Sequence, residues 1–208
     1  MPGKNLEKVY ASDTYYHLYN RGVDKRNIFK DDDDYRVFLN LLKRYLSPES
    51  VKDRQGRIYP NFRQDIDLLA FCLMPNHYHL LIYVNDNAES MTGLIRSLTT
   101  AYSMYFNRRN KRSGHLFQDR FRAVTIQDDA YLWHISRYIH LNPLDIKMDY
   151  NKYPYSSLGH YVGNKSADWL NADIILDMFR ENKIDYSEFL DEYKDIHTKR
   201  KLIEQELF

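Results

Sequence analysis

Two apolar runs, Asp65–Leu73 and His77–Val84, are separated only by Met74-Pro75-Asn76, and no other feature limits the fold of this chain so tightly. Three residues with a central proline predict a tight reversal, so the runs form an antiparallel hairpin. Around that hairpin the remaining elements follow in order. Tyr15–Asn20 alternates aromatic and aliphatic residues and predicts a strand, stopped by Arg21-Gly22. Asp31–Asp34 precedes Val37, Leu41, Leu42 and Tyr45, which share one helical face. Acids suit the first turn of a helix, so these aspartates read as a helix start rather than a metal cluster. Residues 47–62, with two prolines, predict a loop. Ala88–Arg109 repeats apolar residues at Met91, Leu94, Ile95, Leu98, Tyr102 and Phe106 and predicts a long helix broken over 110–114. Phe121–Gln127 predicts a strand. Asp128 or Asp129 then caps a helix that ends near Asn142, because Pro143 cannot continue it.

This order predicts an α+β fold, a ferredoxin-like split βαβ antiparallel sheet with the first two helices on one face. The third helix is free to cross the other face. Residues 1–13 read as a lead-in. Beyond Tyr150 the pattern weakens to helices at 171–181 and 186–206, so the expected division is a main domain over 1–160 and a helical extension over 161–208. No internal repeat is visible.

Apolar residues make up 43% of the 208 and charged residues 28%, which predicts a packed core. The net charge of +1 hides an uneven spread. Residues 96–122 carry seven bases and one acid, whereas 168–208 carry eleven acids and six bases. A basic middle containing aromatics is what a nucleic-acid groove needs, although a solvated helix end has the same composition. The single cysteine, Cys72, excludes an intrachain disulfide framework and suits a reducing cytoplasm. The N-terminus shows no apolar signal segment, and the longest apolar run, Leu68–Met74, is far below the roughly 20 residues a bilayer requires.

The chemistry-bearing residues fall into two groups. His77 and His79 are two apart on a predicted strand, so their imidazoles point to one side of the sheet and can share a divalent metal. The same spacing also fits two partly exposed histidines on a half-solvated strand. The helix ending at Asn142 carries Tyr131, His134, Tyr138 and Asn142 on one stripe. A tyrosine hydroxyl is a weak nucleophile at its free pKa of about 10 and needs a nearby metal or base. Among Tyr102, Tyr105, Tyr131 and Tyr138, only Tyr138 has an amide side chain one turn later, and that amide can complete a site begun by the histidines. His134, one turn before Tyr138, is a candidate for assisting proton transfer. A zinc hydrolase would need a third strong ligand at a fixed spacing, and no such spacing appears.

Taken together, Leu73-Met-Pro-Asn-His-Tyr-His-Leu-Leu81 and Arg137-Tyr-Ile-His-Leu-Asn-Pro143 resemble the two signature segments of the HUH single-tyrosine transposases, in their REP-associated tyrosine transposase branch. His17-x-x-Asn20-Arg21-Gly22 and Gly114–Phe121 fit the same pattern, and the resemblance spans roughly 13–160. It implies that His77 and His79 bind Mg²⁺ or Mn²⁺ and that Tyr138 is the nucleophile. Asn142 stands where the superfamily often has glutamine as a third metal ligand. The implied activity is nicking and strand transfer of single-stranded, hairpin-bearing DNA through a 5′-phosphotyrosine. The alternative is a hairpin-binding protein that no longer cuts. Arg21, Lys25, Arg26, Arg108, Arg109, Lys111, Arg112, Arg120 and Arg122 are the expected phosphate contacts. Phe117 and Tyr16 are expected to stack on bases, and Gln118 and His115 to read one. The expected setting is a bacterial cytoplasm, at the nucleoid, with the chain acting as a monomer or homodimer.

Overall fold

The computed structural model describes residues 10–163 and 165–193. Four strands form one antiparallel sheet: β1 (Thr14–Arg21), β2 (Ile66–Met74), β3 (His77–Val84) and β4 (Arg122–Ile126), in the spatial order β2-β3-β1-β4. This is the expected split βαβ arrangement, with β3 inserted between β1 and β2. The hairpin is tighter than expected. Met74 pairs with His77, so the reversal is only Pro75-Asn76. The Pro75 carbonyl accepts from the amides of Ile28 and Phe29 at 2.8 and 3.0 Å, which ties the turn to the segment before the first helix.

That helix, α1 (Asp32–Leu46), starts where the acids predict. The Asp31 side chain caps it by accepting from the amides of Asp33 and Asp34. Together with α2 (Glu89–Arg109) it covers one face of the sheet, packing Phe38, Leu42, Leu98 and Tyr102 onto Leu18, Tyr78, Leu80 and Ile82. A bulge between Leu68 and Ala70 shifts the alternation of β2, so Leu68 and Phe71 face this core while Ala70, Cys72 and Met74 face the other.

The second core lies beneath α3 (Asp129–Leu141). Asp128 caps this helix by accepting from the Tyr131 amide, and at Pro143 the chain passes into a 3-10 turn over Asn142–Ile146. Leu132, Ile135 and Ile139 of α3 pack against Met74 and Leu81. Two later helices, α4 (Leu158–Tyr161) and α5 (Asp173–Glu181), and a helical stretch at 186–193 complete this layer. The helix expected over 186–206 thus begins as expected, and its remainder lies outside the described residues. The outer edge of β2 is not free, because the Leu73 amide donates to Tyr155 O and Phe71 pairs with Ser157. That cover removes the open apolar edge that would favour pairing with a second chain. Among the described residues no helix is long and apolar enough to cross a membrane.

Candidate active site

The period of a strand places His77 and His79 on the α3 side of β3, as their spacing predicts. Their rings are 4.9 Å apart and nearly perpendicular. His77 is half-buried at the start of the strand, with Nδ1 2.6 Å from Asn76 Oδ1. His79 is only 5% exposed. On the neighbouring strand His17 lies diagonally across from it on the same face, with Nε2 2.8 Å from His79 Nδ1 and the rings stacked at 5.0 Å. In the sequence His17 stands out only as a member of the motif His17-x-x-Asn20-Arg21-Gly22, without a role, since its proximity to His79 depends on the register of β1 against β3, in which Tyr19 faces His79.

From the other side α3 lays Tyr138 edge-on against both imidazoles, at 5.4 Å from His79 and 5.9 Å from His17. Its ring stays open to the cleft. Asn142, one turn on, is buried and donates from Nδ2 to the Tyr138 carbonyl at 2.8 Å. Two buried polar atoms here make no hydrogen bond, His79 Nε2 and Asn142 Oδ1. Buried polar atoms are normally paired, so this convergence requires an explanation.

The electrostatics of the site are set mainly by burial. Burial, reinforced by His17 and His77, holds the His79 pKa well below that of a free imidazole, against an opposing pull from Asn142. Burial lowers His17 to about 4. Both rings are therefore neutral at neutral pH, the form that ligates metals. Burial, followed by the negative charge of Asp145, raises the Tyr138 hydroxyl pKa, while Asn142 draws it down. Left to itself, this hydroxyl is a poorer nucleophile than free tyrosine. Among the described residues no three His, Cys, Asp or Glu side chains converge as a metal cage.

Arg21, Gln118, Arg120 and Arg122 join the histidines and Tyr138 around a cleft of about 370 Å³. Segment 116–119 brings them there by running along the end of β1. The Gln118 amide donates to Arg21 O at 2.8 Å, and Asn20 Nδ2 to Asp119 O at 3.0 Å. Gly22 permits the close turn beside it, since a Cβ there would sit 2.3 Å from the Arg26 carbonyl oxygen.

Other expected contacts are placed elsewhere. Arg109 forks onto Asp31 and Asp34 at 2.7–2.8 Å, tying the end of α2 to the start of α1. Its charge thus serves the fold. Arg108 and Lys111 are exposed at that same end, and Arg112 donates to Asn107 and to His115 O. Arg26 is bound to Val23 O and Asp24, and Lys25 is exposed beside it. Phe117 and Tyr16 are buried in the α1–α2 core, which spends their rings on packing. His115 lines a separate groove along α2. His134 accepts from Arg137 at 2.6 Å and lies near Phe189.

Residues 10–142, more than half the chain, match the family model described as Transposase IS200 like. A Haemophilus influenzae protein whose name places it among the REP-associated tyrosine transposases is 30% identical over 104 residues. That match takes in 44% of this chain and 58% of the relative, so the chain spans little more than half of that protein's length. A solved structure, that of a REP-associated tyrosine transposase bound to a REP hairpin, superposes with a TM-score of 0.56 at 15% identity, covering 81% of this chain and 92% of that one. The likeness bears out the expected fold.

Proposed function

The chain belongs to the IS200-like transposase family, and from that premise and the geometry of the cleft we propose that it cuts and rejoins single-stranded DNA through Tyr138. The observation that carries this reading is the meeting of Tyr138 with two unpaired buried atoms, His79 Nε2 and Asn142 Oδ1. His77, His79 and Asn142 would hold Mg²⁺ or Mn²⁺. When bound, the ion would stabilise charge on the scissile phosphate and favour ionisation of a nearby hydroxyl.

Tyr138 attacks phosphorus in line. The phenolic oxygen gains the bond to phosphorus, the O3′–phosphorus bond breaks, and the departing strand takes the proton as a free 3′-hydroxyl. The 5′-phosphotyrosine keeps the energy of the broken phosphodiester, so a second 3′-hydroxyl can reverse the step and join strands without ATP. Arg120, Arg122 and Arg21 line the cleft where the backbone of the strand would run, and they fix its position by phosphate contacts. We further propose that the strand carries a hairpin, as in the complex of the structural relative, and that the chain belongs to the REP-associated branch.

The test is cleavage of a hairpin-bearing single strand with Mn²⁺ by the wild type and by the double variant His77→Ala, His79→Ala. The double variant is expected to bind the oligonucleotide and to leave it uncut. Metal-dependent cutting that survives in it would overturn the assignment of the ligands. Binding without any cutting by the wild type would instead make this a hairpin-binding protein.

A further inference from the structure

We propose that His17 is a positioning residue for the metal ligand His79, accepting a hydrogen bond from the Nδ1–H of that ring so that the Nε2 lone pair faces the cleft. This inference rests on the metal-dependent reading above.

The geometry admits two hydrogen-bond senses across the 2.8 Å contact between His17 Nε2 and His79 Nδ1. If His17 donates, His79 carries its proton on Nε2 and has no lone pair left to coordinate. If His79 donates, its Nε2 is a ligand with the ring plane fixed from behind. The second sense matches the surroundings. His79 Nε2 lies buried without a hydrogen bond, and so does Asn142 Oδ1. Metal-binding histidines are commonly oriented by a partner on the other ring nitrogen, usually a carboxylate or a carbonyl. Asn76 Oδ1 stands 2.6 Å from Nδ1 of His77, and His17 supplies the corresponding contact for His79.

The position of His17 argues against simple filling of space. It is 6% exposed on a sheet face that otherwise contributes Leu81 and Ile126 to the far core. Its ring is also confined, stacked on His79 at 5.0 Å and close to Tyr19 at 5.3 Å, so the acceptor has little freedom to turn away. A leucine would fill such a place without burying an imidazole. A buried polar side chain here calls for a polar task.

The experiment compares His17→Leu, which keeps bulk and removes the acceptor, with His17→Gln, whose side-chain carbonyl can replace it. Mn²⁺ affinity is read on DNA-free protein by titration calorimetry, and the His79 tautomer by ¹⁵N NMR of the metal-free protein. The leucine variant is expected to bind Mn²⁺ about 10–100-fold more weakly, while the glutamine variant stays near wild type. Wild-type His79 should carry its proton on Nδ1, and the leucine variant should lose that preference. Hairpin binding in EDTA should be equal in all three, which also shows that the variants are folded. Wild-type Mn²⁺ affinity in the leucine variant would overturn the proposal, and so would an equal loss in both variants. If the wild type itself binds no Mn²⁺, the metal reading fails, and the tautomer measurement still decides whether His17 sets the protonation of His79.

Discussion

Replacing Tyr186 by phenylalanine should loosen the helix that carries the proposed nucleophile. The Tyr186 hydroxyl lies 2.8 Å from His140 Nδ1 and donates to Ser136 Oγ at 3.0 Å, and both partners are on α3. His140 is fully buried and is held on its other side by Ser157 at 2.7 Å. Phenylalanine keeps the ring against Tyr161 and Phe179, so little apolar burial is lost. What changes is that His140 Nδ1 loses its partner in a dry interior. Ser136 retains the Trp133 carbonyl, to which it donates at 2.8 Å. One buried group left unpaired costs about 1–3 kcal/mol. Taking about 2 kcal/mol, the urea midpoint should fall by roughly 1 M at unchanged slope, and Tm by about 4–8 °C for a chain of this size. The exposed Tyr131→Phe serves as the control and should stay within about 0.5 kcal/mol. A Tyr186→Phe midpoint indistinguishable from that control would refute the claim that residues after 150 hold α3 through this network.

Acid should act on the same contact. Burial lowers the His140 pKa to about 3, so the unfolded chain takes up a proton that the folded one refuses. Its stabilising share is complete above about pH 6.5 and falls by about 1.4 kcal/mol per unit as pH drops towards 3. Urea midpoints at pH 7 and 5 should therefore show a smaller pH dependence in His140→Leu than in the wild type, and equal slopes would contradict this. Arg109→Ala should lower Tm by removing the tie to Asp31 and Asp34, while the salt dependence of DNA binding stays unchanged. Arg120→Ala should do the reverse, reducing the slope of log affinity against log salt by about 1. Chelator-treated protein should gain about 2.7 kcal/mol of stability when Mn²⁺ is restored at a hundredfold excess over Kd, read as a rise in the urea midpoint, and Asn142→Ala should shrink that gain.

The features legible in the sequence were those set by neighbours along the chain. A proline turn, an aspartate cap and Pro143 each act within a few residues, so the hairpin, the start of α1 and the end of α3 were all readable. The shared face of His77 and His79 followed from the period of a strand. Other assignments depended on distant partners. Arg109 looked like one more base in a basic segment, and only the packing of α1 on α2 brings Asp31 and Asp34 to it. His17 became part of the site through a strand register that no local pattern encodes. The helical stripe placed His134 one turn from Tyr138, and its contacts in the fold are with Arg137 and Phe189, which no local pattern encodes. Phe117 lay in a basic stretch and looked like a base-stacking ring, whereas its burial edge-on to Tyr78 is a property of the folded core.

The proposed chemistry turns on which atom joins the DNA. A hairpin-bearing strand cut in the presence of Mn²⁺, followed by proteolysis and mass spectrometry, would identify it. The predicted product is the peptide containing Tyr138 linked through its phenolic oxygen to the 5′-phosphate of the cleaved strand, and Tyr138→Phe should bind the hairpin without forming it. An adduct on any other residue, or one that persists in Tyr138→Phe, would contradict the account.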